Sequence, residues 1–464
     1  MARQRYSLLE ILAVAELHPF YHPDEKYPPD AVAIQAACER ACSRVQADLR
    51  TQPVLHKCTL YKVIERLTQD MSLDNVYRKG SYVSATGGGS GGFPMIFAVD
   101  ALENRQQRMR MGELIRLCGI TSPADWVLSL HMSGDLYRSL DLTTETLENS
   151  GATVLSAGSN MALQDVVDVL GHYHVNALTG DPNQIVQLVH YISTLPSHVQ
   201  QRLRLEKIIY TSESLTGPQR AFILTILGDV KIFSFMGSAE AGPWAVSHPD
   251  LLGDGIIPES NTVDFVFDIR SMIIEILPLT ASETENCSSG PDPLPLGEPG
   301  LIVQTSLQRL RNPLVRYISG DIGSLHPLSP SALALIPETD RDYLRVIRMH
   351  GRDRRFSFEW FGAYYEFETM KAFMLTEQFG ILQWQVILDQ LPSSTEATLE
   401  VRLLRASPRA GILSDEALIR RLWAFFIVLP RDKHLFQVIF AKDLNGFERS
   451  ATGAKVIHFV DRLH

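Results

Sequence analysis

The chain predicts a layered α/β body with mostly parallel central strands, followed by a smaller α+β domain. Three observations predict it. Between Trp126 and Phe235 short apolar runs alternate with longer amphipathic stretches, the rhythm of successive strand and helix units. From Asp254 to Leu325 this gives way to short alternating runs, the pattern of a small β-barrel or sheet. Beyond the charged segment Gly351-Arg352-Asp353-Arg354-Arg355 the alternation restarts over about a hundred residues. The plan is a large domain over residues 1–350, a small mobile domain over residues 351–464 and a hinge at 350–355.

The elements follow in order. Residues 1–80 read as helical, with a break at His18-Pro19-Phe20-Tyr21-His22, a long helix from Ala31 to Arg50 and another from Leu55 to Arg66. Met95 to Val99 reads as a strand and Ala101 to Leu117 as a helix. Strands are expected at Trp126–Leu130, Ala152–Leu155, Ala177–Leu178, Lys207–Tyr210 and Lys231–Phe235. The helices between them are Leu140–Ser150, Met161–His172, Pro182–Thr194 and Gly217–Leu227. Val263–Ile269, Met272–Leu277 and Gly300–Ser306 are short strands around a Pro/Gly/Ser-rich connection, Ser282 to Pro299, read as a mobile loop. In the last domain Tyr364–Thr376 and Asp415–Phe426 read as helices, and Leu382–Leu388, Thr398–Leu404 and Phe436–Phe440 as strands.

Composition narrows the function classes. With 45% hydrophobic residues in 464, the chain buries a large core and is not a disordered protein. A net charge of −10 with no basic block argues against nucleic acid or an anionic membrane as partner, leaving small molecules. Cys38, Cys42, Cys58, Cys118 and Cys287 form no C-x-x-C pair and are expected as buried thiols in a reducing compartment. The apolar patch Leu8 to Ala15 is interrupted by Glu10, and no run reaches the length of a membrane span, so the expected location is the cytoplasm.

The stretch from Gly80 to Phe97 carries the first chemical signal. Gly87, Gly88, Gly89, Gly91 and Gly92 crowd around Ser90, a composition that lets the backbone turn sharply and present bare N–H groups to phosphate oxygens. Gly87, Gly89 and Gly92 satisfy G-x-G-x-x-G, but a strand rather than a helix follows, so the dinucleotide reading fails. The loop ends Gly92-Phe93-Pro94 without the lysine of a nucleoside-triphosphatase loop. A strand, turn and strand over a nucleotide and a Gly-rich surface linker both remain open at this point.

The loop resembles the phosphate-binding loop of the adenylate-forming enzymes, Ser-Gly-Thr-Thr-Gly-Lys-Pro, with Gly91 at a hydroxyl position and Phe93 in place of Lys. Five further segments resemble that family in the same order, and the subgroup they match is the phenylacetate-CoA ligase-like enzymes. Tyr210-Thr211-Ser212-Glu213-Ser214 stands where the family packs a turn against adenine, although Glu213 also reads as a helix N-terminal carboxylate. Phe235-Met236-Gly237-Ser238-Ala239-Glu240 is similar to Tyr-Gly-x-Ser/Thr-Glu, which implies Mg²⁺ on Glu240, with Met236 and Ala239 replacing the tyrosine and hydroxyl. Arg316-Tyr317-Ile318-Ser319-Gly320-Asp321 is the strongest match and implies that Asp321 accepts from the ribose hydroxyls. Gly351-Arg352-Asp353-Arg354 resembles the family hinge, whose Arg reaches the nucleotide, and Gly453-Ala454-Lys455 resembles its terminal Gly-Lys, with the lysine one residue late.

What the resemblance implies is the adenylate-forming fold and ATP-dependent activation of a carboxylic acid to acyl-AMP with release of pyrophosphate. Acyl transfer to an acceptor follows, by default CoA, alternatively an amine or alcohol. Lys455, Glu240 and Arg352 are the implied catalytic residues. Ser84, Thr86, the loop Gly87–Gly92, Ser212–Ser214, Phe235 to Ala239, Asp321 and Arg352 form the implied nucleotide site, with ATP and Mg²⁺ as cofactors. Phe97, Tyr137 and Trp244 are candidates for an aryl or apolar acid pocket, and a homodimer is implied by the family. The losses at Phe93, Met236 and Ala239 keep open a reading of another class, a nucleotide-binding regulator or scaffold with impaired catalysis.

Overall fold

The computed structural model describes residues 5–43, 47–86, 95–134, 136–211, 215, 217–252, 262–282, 291–353, 357–392, 394, 396–405, 412–449 and 456–463. The chain divides into two compact units, Met1–Ala85 with Ile96–Arg352 and Thr86–Met95 with Asp353–His464. The first is built on one sheet of 11 strands. Across the sheet they run Met272–Leu277, Gly300–Ser306, Tyr317–His326, Leu344–Arg352, Val263–Asp268, Gly242–Ser247, Lys231–Ser238, Lys207–Tyr210, Ala177–Gly180, Trp126–Ser129 and Thr153–Ser156. The last five pair in parallel and all the others antiparallel. Mixed α/β architecture with a large sheet is therefore as the sequence predicts. The short runs after Asp254 form the antiparallel half of this same sheet.

Strand periodicity explains how the parallel half is covered. Val127, Ala177, Ile209 and Phe233 point to one face and pack with Met111, Leu114 and Ile115 of the helix Ala101–Leu117 and Leu147 of Ser139–Asn149. Their neighbours Leu128, Leu178, Ile208 and Ile232 point to the other and meet the helices Leu163–His172, Pro182–Thr194 and Gly217–Leu227. Both faces are apolar because both are covered by helices.

The second unit has a four-stranded sheet in the order Phe436–Phe440, Ala397–Arg405, Ile381–Gln390 and Phe459–Asp461. Trp384, Val386, Leu399, Val401 and Leu403 bury one face against Met370 and Met374 of Phe367–Met374 and Leu418 and Leu422 of Asp415–Phe425.

Several expectations are corrected. The helix from Ala31 ends at Ala41, and Asp48 accepts from Arg50 N to cap a separate short turn, a local bond that competes with helix. Tyr364–Glu366 is strand, not helix. Ala363–Glu366 pairs with Ser357–Trp360 across the two-residue turn Phe361-Gly362, both at positive φ (49° and 72°), the hairpin geometry a glycine favours. Among the strands that went unread are Gly242–Ser247, Tyr317–His326 and Leu344–Arg352. The last two carry Arg345, Arg348, Gly320 and Asp321, residues that look like loop chemistry. Cys118 is buried, but Cys42 and Cys58 are exposed.

Two buried histidines make this fold acid-sensitive. His18 accepts from Phe20 N at Nδ1 (3.2 Å) and bonds Asn312 through Nε2 (3.2 Å), and burial pushes its pKa down to about 3. His131 bonds Thr179 Oγ1 (3.1 Å), and burial pushes it down to about 4. A histidine held neutral when folded protonates first in the unfolded chain, so its stability contribution is complete above the usual value of 6.5 and is lost as pH falls towards the folded value. His131→Gln should remove about 1.4 kcal/mol per pH unit of acid sensitivity between about pH 6.5 and 5. Denaturation midpoints of both proteins at pH 7, 6 and 5 check it; parallel pH profiles would contradict the assignment.

Candidate functional site

Glu240 sits in the tight turn Ala239–Ala241, between the strands Lys231–Ser238 and Gly242–Ser247, where the parallel half of the sheet passes into the antiparallel half. It is 7% exposed. The Tyr61 hydroxyl donates to Glu240 Oε1 (2.7 Å), and the Lys57 ammonium stands 5.3 Å from the Tyr61 ring centroid. Lys57 and Tyr61 lie four residues apart on the helix Lys57–Gln69, on one face. Burial pushes the Glu240 carboxyl up, but the Lys57 charge and the bonds from Tyr61 and Ser238 outweigh it and hold the group below the usual carboxylate value. An ionised carboxylate at a turn fits a hard divalent cation that takes its remaining ligands from phosphate and water.

This turn is gripped from behind by polar groups of the helix Ala101–Leu117, which buries Glu103, Gln107 and Arg108. Gln107 Nε2 donates to the Ala241 carbonyl (2.6 Å), and Arg309 Nη1 donates to the Glu240 carbonyl. Burial lowers Arg309 to about 10, with Glu103 and Glu240 pulling the other way, and the guanidinium stays charged at neutral pH. Glu103 Oε1 in turn accepts from Leu310 N (3.0 Å) and Arg311 N (3.2 Å), fixing the loop that carries Arg309. Burial raises Glu103 to about 7 despite those two bonds.

Asp321 and Arg352 come together on neighbouring strands, paired in register, with Arg352 Nε 3.1 Å from Asp321 Oδ1 and Nη1 donating to the Ser319 carbonyl (2.6 Å). Gly320 at φ +81 lets the strand kink just before Asp321. The preceding Arg316 has a structural task. It is fully buried, forks onto both oxygens of Glu275 (3.1 Å each), and reaches the Gln52 carbonyl (3.3 Å). Leu55 bridges to Tyr317, with Leu55 N donating to the Arg316 carbonyl (2.8 Å), and the helix bearing Lys57 and Tyr61 starts two residues later. The segment Leu55–Tyr61 therefore joins the Asp321 strand to Glu240.

Other sequence candidates fall as follows. Met236 and Ala239 are half-buried, Gly237 and Ser238 exposed, and Ser238 Oγ accepts from Ala241 N (3.0 Å) to close the turn. Phe97 is buried with its ring edge-on to Tyr61 at 5.3 Å. Phe235 packs in the core, and Trp244 is 3% exposed against Phe267. Tyr137 is exposed on the small hairpin Ser133–Gly134 and Tyr137–Arg138. Ser84 is half-buried on the strand Ser81–Thr86. The loop Gly87–Gly92, Ser212–Ser214 and Lys455 lie outside the described residues. Sequence reasoning missed Lys57, Tyr61, Gln107 and Arg309. One signal was present: in the Ala101–Leu117 segment the apolar spacing Met111, Leu114, Ile115 covers only the C-terminal half, so the buried face before it is polar.

No family model and no curated protein matches the sequence. Solved structures match by shape. A 2-hydroxyisobutyryl-CoA ligase in complex with 2-HIB-AMP and CoA superimposes with TM-score 0.65 at 16% identity, over 98% of this chain and 88% of that one. The fold is that of the adenylate-forming enzymes. The amide bond synthetase McbA from Marinactinospora thermotolerans (TM-score 0.50, 16% identity) and the o-succinylbenzoate CoA synthetase MenE from Bacillus subtilis (0.50, 14%) each match over 81% of this chain and 68% of theirs. Among the described residues no helix is long and apolar enough to cross a membrane.

The Glu240 turn depends on Gly242. At φ +70 a Cβ would meet the Gln107 amide at 2.4–2.6 Å, displacing the group that holds the Ala241 carbonyl. Gly242→Ala should cost about 2 kcal/mol from backbone strain and clash. Denaturant titration measures it, and Gln107→Ala on the same chain should return only the clash component.

Proposed function

We propose that this protein activates a carboxylic acid with ATP, forming acyl-AMP and pyrophosphate, and then passes the acyl group to an acceptor. The observation that carries the reading is the Asp321–Arg352 pair on adjacent strands, in the adenylate-forming fold, with an ionised buried Glu240 joined to the same strand through Leu55–Tyr61. Asp321 would accept from the ribose hydroxyls, and Arg352, already aligned by Ser319, would reach nucleotide oxygen. A Mg²⁺ ion on Glu240 would neutralise phosphate charge. Gln107 and Arg309 keep that carboxylate from shifting, so the site is preorganised before substrate arrives. The proposed Gly87–Gly92 loop, with Ser84, Thr86 and Ser90, would cradle phosphates through backbone N–H groups, and Ser212–Ser214 would border the adenine.

In the chemical step the carboxylate oxygen forms a bond to the α-phosphorus as the bond to pyrophosphate breaks. Charge builds on both oxygens, and Lys455 is the proposed cation for it. Lys57 beside Glu240 adds positive charge that the sequence lacks at Phe93. The proposed acid is aryl or apolar, supported by the buried Phe97 ring packed edge-on to the Tyr61 that bonds Glu240, and the proposed acceptor is CoA, with an amine or alcohol as the alternative. Rotation of residues 351–464 about 350–355 would exchange Lys455 for the acceptor, and a cytoplasmic homodimer is the proposed setting.

Acid-dependent exchange of pyrophosphate into ATP, screened over aryl, aliphatic and amino acids, tests the reading. Exchange with at least one acid is expected; ATP binding without exchange for any acid would favour the regulator. Asp321→Ala should weaken ATP binding by about 2 kcal/mol, roughly thirtyfold. Lys455→Ala should suppress exchange while sparing transfer from supplied acyl-AMP.

A further inference from the structure

A second cluster of charge lies in the first unit, further along the helix that holds the Glu240 turn. Arg110 and Arg116 of Ala101–Leu117, Arg270 of the turn after Val263–Asp268, and Arg5 surround a cavity of about 320 Å³. Three carboxylates, Glu113, Asp268 and Asp340, share its walls, so among the described residues four guanidinium groups face three acids and one positive charge is in surplus. The acids are already engaged. Glu113 holds Arg110 (2.5 Å), while Asp268 (2.7 Å) and Asp340 (2.9 Å) both hold Arg270. Among the described residues Arg5 pairs only with Asp268, at 3.9 Å, and Arg116 has no ion-pair partner.

Arg5 also carries an unmet donor: its Nε is buried without a hydrogen-bond acceptor. Such a donor destabilises the fold unless something accepts from it. Burial, then the charges of Arg110 and Arg270, work against the protonated guanidinium of Arg5, with Asp268 opposing them. An arginine crowded by two others and left with an unused N–H is poised for an anion. Leu114 and Leu117 line the same cavity, and its volume exceeds that of a bare tetrahedral oxyanion.

We infer that this cavity binds a phosphate-class oxyanion, with Arg5 and Arg116 as its ligands and Leu114 and Leu117 against the organic part of a small phosphate monoester. The site uses none of the residues assigned to the acid-activation reading and stands or falls separately from it. Its recognition is charge plus forked hydrogen bonding, so inorganic phosphate is the minimal ligand and the ester the complete one.

Calorimetric titration of the full chain with inorganic phosphate and with glycerol 3-phosphate tests the inference. Saturable binding of both is expected. Tighter binding of the ester assigns the organic part to the leucines, and equal binding assigns the site to the ion alone. The double variant Arg5→Gln/Arg116→Gln should weaken either by about tenfold or more while its ATP affinity stays that of the parent. Its melting temperature in phosphate-free buffer serves as the folding control. Absence of saturable heat from both probes overturns the site, as does unchanged phosphate binding in the variant, which would place the ion at the nucleotide residues. Arg5→Lys with Arg116→Lys should restore part of the affinity, because the charge returns without the fork.

Discussion

A guanidinium taken out of water draws its acceptors from the chain, and Arg309 does so at the centre of this fold through Nη1 and Nη2, while its buried Nε has no acceptor among the described residues. It is 5% exposed, charged, and bonded to the carbonyl of Glu240, with Gln107 alongside and Glu103 fixing its loop. Removing any one partner would strand a buried charge or dipole, which is why these groups hold one geometry. The turn bearing Glu240 thus inherits its position from a helix more than 130 residues earlier and a loop about 70 later, as the sequence separations of these bonds show.

The same economy recurs at Arg316. In the motif Arg316-Tyr317-Ile318-Ser319-Gly320-Asp321 the arginine faces inward to Glu275 and Gln52 while Asp321 emerges beside Arg352. Burial raises the Glu275 carboxyl even against the adjacent charge of Arg316, a sign of how dry the pair is. The motif therefore couples a buried anchor to an accessible acid, and its kink at Gly320 is the joint between them. A single strand both secures the antiparallel half of the sheet and presents the proposed ribose ligand.

Much of the fold was legible. Helices Ala101–Leu117, Pro182–Thr194 and Gly217–Leu227 and strands Lys207–Tyr210, Met272–Leu277 and Gly300–Ser306 lie where periodicity puts them. The misses have different causes. Leu344–Arg352 and Tyr317–His326 carry charge or glycine whose local preference is loop, and cross-strand pairing overrides it. Tyr364–Glu366, whose tyrosines favour strand, runs directly into the helix Phe367–Met374, so apolar spacing alone does not mark the border. Phe235 and Trp244 show the reverse: aromatic residues beside a motif, read as pocket candidates, are core once the sheet is assembled.

By itself the sequence determined the alternation of helix and strand and the mixed α/β class, and it singled out the acids at positions 240 and 321 as candidates, because hydrophobic period and turn chemistry are local properties. Only the tertiary structure decided that one continuous sheet underlies the first unit, that Lys57 and Tyr61 attend Glu240, that Gln107 and Arg309 clamp its turn, and that four arginines gather around a cavity. Those partners are far apart in sequence and carry no shared motif. Burial rewards their pairing, since a charge or N–H taken out of water gains from a partner wherever the fold brings one.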